Sequence, residues 1–158
     1  MGAQTYTLQF GGYWREPNLS GIPAQSGIYG VYAATYNPLR GTVSLNRLLY
    51  IGESDNVQAR IRGHEKWSLW RSKLRAGEEL CFNTAPISSA GARQRTEAAM
   101  IFEHKPSCND EYLYSFPFDQ TKVMTSGTNA LMKAQFTVYR TPATILGNAL
   151  FGVGAPRR

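Results

Sequence analysis

The sequence predicts an α+β domain in which a small antiparallel sheet of about three strands is flanked by α-helices. Three observations predict it. Residues 27–35 (GIYGVYAAT) and 47–52 (RLLYIG) are β-forming runs joined by the turn-forming stretch 36–41, the pattern of a hairpin with a long loop. A third β-like run covers 80–87. A helical segment opens at Ser88 or Ser89 and reaches His104, where Pro106 stops it.

The other elements follow in chain order. Residues 4–10 alternate as a strand does until Gly11-Gly12 interrupt them, and 17–23, bounded by Pro17 and Pro23, read as an extended lead-in. After the hairpin, Ser54 is the expected N-cap of a helix over 56–66, with Asp55 favouring the positive end of the dipole. Val57 and Ile61 form its core stripe. A second helical stretch covers 67–76 and ends at Gly77. Residues 136–140 suggest a late strand, and the Gly-rich 143–158 are expected to be loosely held. The organisation expected is a core at 26–112, an N-terminal extension (1–25) packed on it, and a C-terminal extension (113–158) of the same domain.

At 158 residues the chain supports one domain with a real core. Its net charge of +6 favours a polyanionic partner. The excess is concentrated: between 60 and 75, Arg60, Arg62, Lys66, Arg71, Lys73 and Arg75 stand against Glu65 alone. Cys81 and Cys108 are isolated, which excludes a Cys-x-x-Cys zinc or redox motif and suits a reducing cytoplasm. Two histidines cannot build a histidine-rich metal site. The first residues lack a basic and then apolar leader, and no apolar run is long enough to span a bilayer, so a soluble, cytoplasmic protein is expected.

Several polar residues have no local structural explanation. Tyr29 and Tyr50 sit beside glycine on the two hairpin strands. Arg60 and His64 share one helix face, at the border of the core stripe. Glu97 precedes the apolar stretch 98–102, where an unpaired carboxylate is costly, and Asn109 follows Lys105-Pro106. Each alone is an ordinary sheet, helix or turn residue.

In order, Gly27-Ile28-Tyr29, Tyr50-Ile51-Gly52, Arg60, His64, Glu97 and Asn109 resemble the GIY-YIG nuclease superfamily, whose two naming tripeptides are both present. The likeness runs from about Ser26 to Asn109. It implies the family's nuclease fold and hydrolysis of DNA phosphodiester bonds. Glu97 would hold a single Mg²⁺ or Mn²⁺, and Arg60 would bind phosphate oxygens through its fork of donors. Tyr29 would be the favoured base, with Tyr50 orienting water or phosphate, His64 positioning the phenol or relieving it of its proton, and Asn109 supporting the site. The Arg-x-x-x-His spacing resembles the homing and restriction branches.

Arg62, Lys66, Arg71, Lys73 and Arg75, extended by Arg93 and Arg95, would track the DNA backbone. Trp67 and Trp70 would either stack on unpaired bases or fill the core. The two tripeptides lie further apart than is usual, the extra length falling in the 36–46 loop. No second DNA-binding module is visible, which suits a stand-alone restriction-like, repair-like or defence enzyme on single- or double-stranded DNA. The competing readings are an inactive nucleic-acid-binding recruitment module and a structure-specific repair or RNA-directed nuclease.

Overall fold

The computed structural model describes residues 2–143. The sheet is larger than three strands: six strands, β1 (Gln4–Arg15), β2 (Gly27–Asn37), β3 (Thr42–Ser54), β4 (Glu79–Pro86), β5 (Thr121–Gly127) and β6 (Gln135–Val138), form one sheet in the order β3-β2-β4-β1-β5-β6. The sheet is mixed, since β1 runs parallel to β5 and all other neighbours are antiparallel. It curls strongly into a half-barrel. The expected small, three-stranded antiparallel sheet is thereby corrected.

The physical reason lies at both chain ends. Gly11-Gly12 do not end β1; they let it change partners. Residues 4–10 pair with β5, whereas 11–15 pair with β4 across an irregularity at Gly12. Gly12 has φ +121°, and a Cβ there would meet the Phe82 carbonyl at 2.9 Å, so glycine is what allows the switch. Segment 1–25 thus supplies an interior strand, and 113–143 supply β5 and β6.

The hairpin also differs from expectation. Its strands run on to Asn37 and from Thr42, so the 36–46 stretch is mostly strand and the turn is confined to 38–41. The first helix, α1 (Val57–Arg62), is capped by Asn56, whose side chain accepts from the Ala59 amide at 3.1 Å, rather than by Ser54. Ser54 instead accepts from the Asn56 amide. Next come α2 (Trp67–Ser72) and α3 (Ala90–His104), the latter capped by Ser89 and closed by Lys105 in the left-handed conformation. The expected end segment lies, from 144 onward, outside the described residues.

The sheet buries both faces. On one, Ile28, Tyr32, Ala34 and Ile51 pack with Ala98, Ala99, Met100 and Ile101 of α3. On the other, Tyr29, Val31, Ala33 and Leu49 pack with Val57 and Ile61 of α1 and Trp70 of α2. This period-two division places the tyrosine and the isoleucine of each tripeptide on opposite faces. Among the described residues no helix is long and apolar enough to cross a membrane.

Candidate active site

The motif glycines are dictated by packing. A Cβ on Gly27 would lie 2.2 Å from the Ala85 carbonyl on β4. A Cβ on Gly52 would lie 2.4 Å from the phenol of Tyr29, so Tyr29 can lie over β3 only because Gly52 has no side chain. The adjacent Tyr50 ring is 6.2 Å from Tyr29, centroid to centroid.

The outer edge of β3 is closed by the turn after α3. Asn109 accepts from the Ile51 amide at 3.0 Å and donates to the Ile51 carbonyl at 2.9 Å. One side-chain amide therefore replaces a strand partner. The Cys108 amide donates to the Leu49 carbonyl at 2.9 Å, continuing the same tie.

Between this turn, α1 and α3 opens a cleft of about 300 Å³. Tyr50, Arg60, Glu97 and Asn109, four of the six residues singled out in the sequence, line it. Glu65, Lys66, Asp110 and Glu111 complete its polar wall. Tyr29 and His64 stand behind Tyr50 and are buried. The Tyr29 phenol remains within electrostatic reach of Arg60 and Glu97.

Protonation follows from burial. Desolvation and its neighbours Glu53 and Glu111 push the Glu97 carboxyl up to about 8, against the Glu53 amide and Arg60, which favour its ionised form. Burial, with help from Glu97, pushes Tyr50 up to about 12. Tyr29 is pushed up further, by burial first and then by Tyr50. Both phenols are therefore neutral at pH 7.

His64 is lowered to about 4, by burial first and then by Arg60. Its Nδ1 accepts from the Lys66 amide at 3.0 Å, which leaves the proton on Nε2, a buried atom with no partner among the described residues. Its ring lies 5.1 Å from that of Tyr50 and 4.5 Å from that of Trp70. His64 is thus a donor directed into aromatic surroundings, and in this tautomer it cannot take a proton from a phenol.

The basic residues divide into three groups. Arg62, Lys73 and Arg75 are exposed, without an ion pair among the described residues. Arg60, Lys66 and Arg71 are paired, with Glu65, Asp110 and Glu16 respectively. Arg93 and Arg95 are buried. Arg93 pairs with Glu53 at 2.8 Å. Arg95 donates to Thr121 and to the Gly2, Asp119 and Gln120 carbonyls, so it ties α3 to the chain start and β5 and presents no free face to a phosphate. Trp70 is fully buried, and Trp67 stacks on Phe82 at 5.8 Å, which accounts for both indoles by packing.

Sequence reading missed Glu65, Asp110 and Glu111. The signals were present: Glu65 is the lone carboxylate of the basic window, and Asp110-Glu111 follow Asn109 directly.

A divalent cation fits this residue set in one form. Among the described residues no group of three or more His, Cys, Asp or Glu is placed to hold a metal. Magnesium needs no such cage, being held by one or two carboxylates with water and phosphate oxygens. Glu97 is half-buried, faces the cleft and makes no side-chain ion pair among the described residues. A nearby cation would stabilise its ionised form.

Compared with models of protein families, with curated proteins and with solved structures, the chain matches none.

Proposed function

We propose that this chain is a divalent-metal-dependent endonuclease of the GIY-YIG type, hydrolysing DNA phosphodiester bonds by in-line attack of water. One observation carries the reading: Tyr50, Arg60, Glu97 and Asn109, drawn from four separate segments, meet in a single cleft. A packing role alone does not require that convergence. Their chemistry is complementary to a phosphodiester under attack.

Arg60 binds two non-bridging oxygens and stabilises charge developing on the phosphorus centre. Tyr50, neutral and facing the cleft, accepts a hydrogen bond from the attacking water. As the water oxygen bonds to phosphorus, the water gives its proton to the phenol oxygen and the phenol passes its own to a phosphate oxygen. The P–O bond in line with the water breaks, and the departing alkoxide takes up a proton from solvent to leave as a hydroxyl, so no free phenolate is needed. Tyr29 buttresses Tyr50 from behind, and Asn109 fixes β3. Glu97 would hold Mg²⁺ or Mn²⁺, whose charge supplies Lewis-acid stabilisation of the phosphoryl group.

The expected outcome is Mg²⁺- or Mn²⁺-dependent cleavage of labelled DNA, abolished by EDTA and by Arg60→Ala. Comparing single strands, duplexes, branched DNA and RNA identifies the substrate. Binding without cleavage on every substrate would instead identify a recruitment module.

A further inference from the structure

The cleft that the nuclease reading assigns to a phosphate already contains anions in that position. Arg60 donates from Nη1 to Glu65 Oε1 at 2.8 Å and from Nη2 to Glu65 Oε2 at 3.0 Å. This is the fork-to-fork geometry by which a guanidinium holds a carboxylate or a phosphate, both donors aimed at two oxygens on one centre. Lys66, the second cation lining the cleft, is held in turn by Asp110 at 2.5 Å.

The Arg60–Glu65 pair in particular does not resemble a structural salt bridge. Arg60 and Glu65 are 37% and 65% exposed; in the second pair Asp110 is 77% exposed and Lys66 20%. Surface pairs of this kind contribute little to stability and are readily exchanged. The buried bridges of the molecule lie elsewhere, at Arg93–Glu53 for example.

We infer that Glu65 is an internal stand-in for the substrate phosphate: it occupies the Arg60 fork in the free protein, and a phosphodiester must displace it to bind. The inference rests on the nuclease reading. Glu65 acts through Arg60 and touches no reacting atom, so it is a positioning residue that sets the threshold for substrate. Its hold keeps the Arg60 fork aligned while the cleft is free. It also discriminates against weakly held anions, which must compete with the Glu65 carboxylate for the same two Arg60 donors.

The test is binding of a fluorescein-labelled DNA duplex and of its single strand, in buffer without divalent cation. The four proteins are wild type, Glu65→Gln, Arg60→Ala and the double variant, each checked for folding by circular dichroism. Glu65→Gln is expected to tighten binding about two- to fivefold when Arg60 is present and to have no effect in the Arg60→Ala background. In Mg²⁺, KM should fall by the same factor. Equal tightening in both backgrounds would reveal a general charge effect, and unchanged or weakened binding a mere brace; either overturns the inference. If none of the four binds DNA, the nuclease reading fails and takes the inference with it. Binding without the Arg60-dependent gain overturns the inference alone.

Discussion

His64 has one ring nitrogen satisfied by the Lys66 amide and the other buried against aromatic rings, an environment that accepts only the neutral imidazole. Its pKa near 4 in the folded chain lies below the 6.5 of an unperturbed histidine. Between those values the unfolded chain binds the proton and the folded chain does not. Stability is therefore full above pH 6.5 and is lost as pH falls toward 4. Urea unfolding at pH 7 and pH 4.5 should show wild type losing about 2–3 kcal/mol more than His64→Gln over that interval. An equal loss in both proteins would contradict the buried neutral imidazole. The tyrosines follow the same physics: burial raises both phenols, so the residue that meets water must be the one facing the cleft, Tyr50.

At the scale of elements, β3 is an edge strand whose outer hydrogen bonds are made by Asn109 and Cys108 rather than by another strand. Asn109→Ala removes the partners of the buried Ile51 amide and carbonyl and should cost about 2–4 kcal/mol in urea unfolding. Faster amide exchange at Ile51 should accompany it. That role was legible only in part. The local elements could be read because their signals are local: β-formers at 27–35 and 47–52, the Val57/Ile61 stripe, Ser89 and Pro106 around α3. The β1–β5 pairing could not, because it joins residues more than a hundred positions apart. Nor does β5, with Thr121, Val123 and Thr125 turned inward, show an apolar alternation. For the site, order along the chain pointed to Tyr50, Arg60, Glu97 and Asn109. It could not show that Arg60 is already paired or that Arg95 is buried, since both depend on which side chain the fold places opposite.

For the molecule as a whole, the basic window divides into Arg60 and Lys66, paired at the cleft, Arg71, paired with Glu16 away from it, and Arg62, Lys73 and Arg75, exposed without an ion pair among the described residues. The exposed portion should set affinity and salt dependence without affecting chemistry. Lys73→Ala should weaken DNA binding modestly and lower the slope of log K against log salt by roughly 0.7–0.9, with kcat unchanged. An unaltered slope would place the DNA elsewhere on the surface. The proposed chemistry belongs to the cleft, where Glu97 is half-buried and makes no side-chain ion pair among the described residues. The most direct test is therefore Mg²⁺-dependent cleavage by Glu97→Gln, a near-isosteric change that removes the carboxylate a cation would need. Cleavage should be lost while DNA binding and folding are retained. Full activity in that variant, or wild-type activity in EDTA, would contradict the proposed mechanism.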